Sequence, residues 1–209
     1  MRCLEQQHWG SRLALVLVAA AVLKVAAPAT AQAPIAGSLA GQLLVAAPSI
    51  DDPRFAHTVI LMIRHDKDGA LGLVINRLLE ERPLADLLAR LGEKDAAATG
   101  TVRVFTGGPV QPDVGFVIHD KDYHGSGTVA VNEHIAVTAN PEVLIDIGRG
   151  KGPSQSMIVL GYAGWGAGQL ESEFRRRDWV VAPGEPKLVF EADRDKLWDL
   201  AFAQRMQDL

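Results

Sequence analysis

The chain has 209 residues, 48% of them hydrophobic and 22% charged, an ordinary globular composition for which one domain is the default. A net charge of −4 and a pI near 5.9 argue against a nucleic-acid groove, because a phosphate backbone needs a basic surface. The single cysteine, Cys3, lies in a segment that reads as removable, so disulfides, a thiolate nucleophile and a Cys-type zinc site are excluded from the remainder.

Residues 1–31 have the layout of a secretory signal peptide. Arg2 and Arg12 precede an apolar run, Leu13 to Leu23, and Ala29-Thr30-Ala31 is a small-x-small cleavage site. The run is shorter than the roughly 20 residues of a spanning helix. Cleavage after Ala31 leaves 178 of the 209 residues and removes a net +2 (Arg2, Arg12 and Lys24 against Glu5), taking the charge from −4 to −6. An uncleaved anchor or an over-extended start codon are the alternatives. The mature chain contains no transmembrane helix, and residues 32–40 read as a flexible leader before a single domain at 41–209.

Within that domain Gln42 to Ala47 predicts a buried strand, ended by the turn chemistry of Pro48 to Pro53. His57 to His65 and Leu71 to Asn76 are β-type runs joined by Asp66-Lys67-Asp68-Gly69, a hairpin signal. Strand alternation places His57 and His65 on one face, roughly 26 Å apart, too far to share a metal ion. Pro83 to Leu91 predicts a helix, with Leu84, Leu87, Leu88 and Leu91 on one side and Gly92 at its end. Glu93 to Gly100 reads as a surface loop. Val102 to Phe105 and Val114 to Asp120 predict strands around the glycine turn Thr106 to Val110. Thr128 to Val131 and His134 to Thr138 predict two short strands. Asn140-Pro141 opens a helix to Ile147. Gln155 to Gly161 predicts a strand that feeds a glycine turn and then a short amphipathic helix. Trp179 to Ala182 and Leu188 to Phe190 predict strands, and Asp193 caps a last helix to about Gln207, with Leu197 and Ala201 facing inward. The elements together define a mixed α+β, single-domain class.

Five ordered stretches carry a resemblance: GQLLVAAPSIDDPRF (Gly41 to Phe55), HDKDGALGLVINR (His65 to Arg77), FTGGPV (Phe105 to Val110), GFVIH (Gly115 to His119) and GYAGWGAGQLESEF (Gly161 to Phe174). Together they resemble the YqgE/AlgH family of bacterial proteins over about Gly41 to Ala203. The resemblance implies a compact α+β fold with a bent, partly barrel-like β-sheet and flanking helices, and no established catalytic activity. One namesake is linked to regulation of alginate production. It also implies a cytoplasmic location, from which the signal-like leader departs. Two further departures are Leu78, where the family usually shows Pro after Asn-Arg, and Arg177-Asp178, where an Asn is common before the Trp.

The residue chemistry points away from a reaction. The metal-ligand candidates His65, His119, His124, Glu171 and Glu173 show no H-x-x-x-H or H-E-x-x-H spacing, and Glu171 and Glu173 at i, i+2 point to different sides of a helix. No G-x-S-x-G surrounds Ser154, Ser156 or Ser172. Gly161 to Gly168 precedes a helix, yet it is neither G-x-G-x-x-G nor a P-loop, and two acids in the first turns oppose a phosphate. Arg77 at a strand end is placed to clamp Glu171 or Glu173 across the fold. The expectation is a non-enzymatic binding or regulatory module, exported to the periplasm or beyond, with no cofactor and no metal. It recognises a protein or small ligand at a crevice where His65, Asn76, Arg77, His119, Trp165, Gln169 and Glu171 meet. The alternative readings are a hydrolase using His65 or His119 with Glu171, with or without a metal, and an assembly subunit.

Overall fold

A computed structural model describes residues 37–90, 92 and 98–206. The signal-peptide segment, most of the 93–100 loop and the end of the last predicted helix lie outside the described residues. Ten strands form one curled half-barrel sheet: β1 (Leu43–Ala46), β2 (Val59–Asp66), β3 (Gly69–Val74), β4 (Leu78–Pro83), β5 (Thr101–Thr106), β6 (Val110–Asp120), β7 (Thr128–Ala130), β8 (Ile135–Thr138), β9 (Ser156–Gly166) and β10 (Trp179–Ala182). Four helices flank it: α1 (Leu84–Arg90), α2 (Glu142–Gly148), α3 (Gln169–Arg175) and α4 (Leu197–Ala203). This is the α+β class that the elements lead one to expect, with the partly barrel-like sheet that the resemblance implies.

The sheet runs β10-β1-β2-β3-β9-β6-β8-β7, with β4-β5 attached through a parallel pairing of β5 to β9. The long strand β9 is therefore the trunk. Its first half, Ile158 to Leu160, lies between β5 and β6, and its second half, Ala163 to Gly166, pairs with β3. Where the partner changes, Thr106-Gly107-Gly108 crosses close to β9. Gly107 donates its N–H to Leu160 O and accepts from Val74 N–H. A Cβ on Gly108 would stand 2.2 Å from the Tyr162 backbone, so the approach needs glycine.

Apolar side chains divide among three clusters. Leu43, Val45, Val59, Leu61 and Val159 point inward with α4, whereas Leu44, Ala46, Ile60 and Met62 point to the α3 side. β1 and the start of β2 are thus covered on both faces, which is why they read as unbroken apolar runs. The third cluster holds α1 and α2 against Val104, Val117 and Ile158. The 66–69 hairpin, α1 and α2 follow the expected boundaries closely. Asn140 Oδ1 accepts the Glu142 N–H at 3.0 Å, the capping role its position suggests.

Three expectations are corrected. Leu188 to Phe190 is not a strand but part of a π-helical turn, Lys187–Glu191, in which the neighbours Leu188 and Val189 are both buried. Pro186 sets its start with φ −50°. Gly161 to Gly166 is not a turn but continues β9; the turn is confined to Ala167-Gly168, with Gly168 at φ +72°. His57 precedes β2, takes φ +54°, and packs edge-on against Trp198, so it does not share a strand face with His65.

Candidate functional site

Two irregularities in the sheet decide which side chains reach α3. The first is a bulge in β2, where the register against β3 shifts between Met62 and Arg64. Ile60 and Met62 face the α3 side; unbroken alternation would send His65 to the other side. The extra residue, Ile63, reverses the phase, and His65 reaches Glu171 on α3. The second is Gly161, at φ +73°. Before it, Met157 and Val159 face inward; after it, Ala163 and Trp165, of the same parity, face α3. A Cβ on Gly161 would lie 2.7 Å from Gly108 O. The glycine both permits the crossing and turns Trp165 over.

His65 and Glu171 form the first polar pair. The His65 side chain is 7% exposed, and its Nε2 lies 3.0 Å from Glu171 Oε1. Nδ1 accepts the Leu39 N–H at 3.3 Å. A backbone amide only donates, so the proton of the neutral ring sits on Nε2 and is given to the carboxylate. The Glu171 carboxyl is held below its ordinary range, first by its own backbone N–H in the opening turn of α3, then by the hydrogen bond from His65 and the Arg175 charge, with burial opposing. Ser38 Oγ also donates to His65 O, so this pair anchors the start of the domain.

Glu173, two residues on, points elsewhere. Its Oε2 accepts both the Trp165 and Trp179 indole N–H groups at 2.8 Å, and its Oε1 accepts an N–H of the Gln169 side-chain amide, from Nε2, at 3.0 Å. Gln169 Oε1 in turn accepts the Gly166 N–H, fixing the amide's orientation. The indoles meet edge-to-face at 6.1 Å, and Phe55 meets Trp179 at 5.6 Å. These groups border a cavity of about 380 Å³, rimmed by Asp51, Asp52, Arg54, Arg176 and Asp178. Arg54 pairs with Asp52 at 2.7 Å, and Arg176 with Asp178 at 2.7 Å.

The seven residues expected in one crevice are distributed over four places. His65 and Glu171 meet, and Trp165 and Gln169 line the neighbouring cavity. Asn76 and Arg77 do not join them. Asn76 bridges Val59 N–H and His57 O, and Arg77 donates to Ala56 O and to Thr58 Oγ1 at 2.7 Å. Both brace the left-handed turn at His57, and the expected Arg77 clamp on Glu171 or Glu173 is not formed. His119 is fully buried on the α1–α2 side. Its Nδ1–H donates to Asp120 O at 2.7 Å and its ring packs edge-on to Tyr123. His119 and Glu171 therefore belong to different clusters and cannot act together. Among the described residues no group of three His, Cys, Asp or Glu side chains is arranged to hold a metal ion.

Sequence reasoning missed Glu173, Trp179 and the 50–55 loop as parts of one place. The available signal was motif membership: PSIDDPRF, GGPV and GYAGWGAGQLESEF all contribute to the cavity wall. It also missed Arg194, whose guanidinium donates to Ala192 O and Val189 O at 2.9 Å and, more weakly, to Ile75 O and Leu188 O. Arg194 so ties the π-helical turn to the end of β3.

A half-barrel sheet on a forked central strand, flanked by short helices, places the chain among small α+β proteins. The chain matches the AlgH-like family over residues 43–209 and belongs to that YqgE/AlgH family. A UPF0301 protein from Sphingopyxis alaskensis is 44% identical over 164 residues, covering 78% of this chain and 87% of the relative. The solution structure of AlgH from Pseudomonas aeruginosa superposes with a TM-score of 0.70 at 38% identity, covering 81% of this chain and 89% of that one. A crystal structure of a Corynebacterium diphtheriae protein shares the fold, with a TM-score of 0.62 at 23% identity over 80% of this chain and 87% of that one.

Proposed function

We propose that this protein is a non-enzymatic binding module and that its site is the cavity between α3, the 50–55 loop and the second half of β9. One observation carries the reading. Three of the five sequence motifs supply the walls of one cavity, the first and last of them, more than a hundred residues apart in the chain, with aromatic and charged side chains. A role in packing alone would not require an opening beside those rings.

The hydrolase alternative has a specific point in its favour, the hydrogen-bonded His65–Glu171 pair. Against it, Nδ1 of His65 is taken by the Leu39 amide, leaving no ring nitrogen to activate a hydroxyl or water. Ser154 Oγ lies against the Asp120 and Asp122 carboxylates, at 2.9 and 2.7 Å, which are not a base of the triad kind.

The test is a ligand screen read by tryptophan emission on protein beginning at Gln32. A saturable emission change that is lost in Trp165→Phe supports a binding site. Turnover on an ester or phosphate panel that is lost in His65→Gln overturns the non-enzymatic reading. We further propose that the module acts in the periplasm or outside the cell after removal of residues 1–31. The support is the basic-then-apolar pattern ending at Ala29-Thr30-Ala31. Intact Met1 on protein from the cytosolic fraction, the location the resemblance implies, overturns that.

A further inference from the structure

The chemistry of the cavity specifies the sign of its occupant. Glu173 forms part of its wall, and three neutral N–H donors hold this carboxylate. Neutral donors stabilise a carboxylate without cancelling its charge. A carboxylate offers about four acceptor positions. Two on Oε2 are taken by the indoles and one on Oε1 by Gln169, which leaves one on Oε1.

The rim adds charge of the same sign. Asp52 and Asp178 are matched by Arg54 and Arg176, whereas Asp51 and Glu173 have no cationic partner among the described residues. The lining therefore carries two uncompensated negative charges, next to aromatic rings whose faces attract cations. The protein already uses this chemistry at the rim, where the Arg54 guanidinium lies 5.9 Å from the Phe55 ring centre while pairing with Asp52.

We propose that the cavity binds an organic cation, an alkylammonium or guanidinium head, with one N–H on Glu173 Oε1 and its carbon skeleton against Trp165, Trp179 and Phe55. The proposal rests on the binding-module reading and adds the ligand's charge and class to it. The head can belong to a free amine or to the Arg or Lys side chain of a peptide, and the two sources share this recognition.

The experiment is titration of the protein beginning at Gln32 with four probes, followed by tryptophan emission and calorimetry. Agmatine represents the free amine, the N-acetylated peptide amide Gly-Arg-Gly the side chain, Gly-Gln-Gly the neutral control and Gly-Glu-Gly the anionic one. The expected result is saturable binding of one or both cationic probes, weakened by raising the salt from about 50 to 500 mM. The better cation identifies the source. Glu173→Gln is expected to weaken binding by about tenfold or more and Asp51→Asn by about two- to threefold. Thermal unfolding of each variant shows whether the fold is kept. Where Glu173→Gln fails to fold, Asp51→Asn decides, because Asp51 is exposed at the rim. Equal binding of neutral and cationic probes, or unchanged affinity in the folded variant, overturns the cation assignment. Binding of the anionic or neutral probe alone overturns it while leaving the cavity a ligand site. No emission change with any probe removes both.

Discussion

Two corners of the molecule each centre on one charged side chain held by neutral dipoles, and they differ in what is left over. At the C-terminal corner the Arg194 guanidinium is wrapped by the carbonyls of Leu188, Val189, Ala192 and Ile75. Burial, with Arg103 nearby, pulls its pKa down to about 10, so the charge is kept at a cost and directed entirely into the backbone. At the α3 corner Glu173 is held by two indoles and an amide, with an acceptor position unfilled and a cavity beside it. The first arrangement is taken up by its own backbone and organises the turn before α4. The second has the same local economy but opens outward. What separates the two is not the number of filled positions, four of five N–H groups on Arg194 and three of about four acceptor positions on Glu173, but the open volume beside Glu173.

The largest effect expected from this contrast is on stability at the closed corner. Arg194→Met removes the donors and leaves carbonyls of the π-helical turn unpaired, at about 1 kcal/mol or more each for the two short bonds, or about 3 kcal/mol in all. For a domain of this size that lowers Tm by roughly 6–12 °C. Thermal unfolding checks it, and cation affinity at the cavity is expected to stay within about twofold of the parent. A variant that loses affinity without losing stability would break the contrast.

At the open corner the order reverses. Glu173→Ala leaves two indole N–H groups without acceptors and is expected to cost about 2 kcal/mol. Glu173→Gln keeps an acceptor oxygen and is expected to cost about 1 kcal/mol while changing ligand affinity far more. Denaturant unfolding of the two variants, set beside their titrations, separates the two roles. Equal losses of stability and unchanged binding would make this corner as closed as the other.

Local pattern carried much of the fold but little of this contrast. The hairpin at 66–69, the α1 leucines and the Asn140 cap are decided by residues a few positions apart, so they are legible. His65 and Trp165 are also conspicuous in their motifs, but the direction each faces depends on a phase change. Ile63 is an apolar residue like its neighbours in β2, and only pairing to Leu71 and Gly72 makes it the extra residue of a bulge. Gly161 is one of four glycines in a short run, and only the crossing of Gly108 selects it as the point where β9 turns over. Leu188 to Phe190 has strand-like composition, yet Arg194 and Pro186 hold it as a π-helical turn. A guanidinium favours a carboxylate, which points Arg77 to an acid across the fold, yet the nearby Ala56 carbonyl and Thr58 hydroxyl take its hydrogen bonds. Each failure is one of tertiary pairing overriding local preference.

A smaller effect is expected from pH. The folded-state pKa of Glu171 lies below its ordinary value near 4.5. A depressed carboxyl pKa contributes stability that is fully present above the unfolded value and is lost as pH falls through the folded one. The loss therefore begins below about pH 4.5 and runs downward. Glu171→Gln is expected to flatten this acid limb of the Tm–pH curve while leaving the cation site in place. An unchanged limb would detach His65–Glu171 from the anchoring of Leu39.

The smallest effect tests how α3 delivers Glu173 and Trp179 to the cavity. The helix closes with Asp178 N–H bonded to Glu173 O and Arg177 N–H to Phe174 O, the paired bonds of a Schellman motif. That closure requires a left-handed residue, and Arg177 takes it at φ +62°. Glycine is the usual residue there and asparagine the next, because a Cβ with a long side chain crowds the carbonyl. The Asn common near this position in the family fits the same need, and this chain's Arg177 departs from it. Arg177→Gly is expected to raise stability by about 0.5–1 kcal/mol, net of the added freedom of the unfolded chain, and Arg177→Asn by somewhat less. Both keep the helix end and so keep Asp178 paired with Arg176 at the rim. Arg177→Val, whose branched side chain resists the left-handed region, is expected to do the opposite and to weaken cation binding with it. A stabilised Arg177→Gly with lost affinity would instead show that the Arg177 charge, rather than the turn it closes, bears on the cavity.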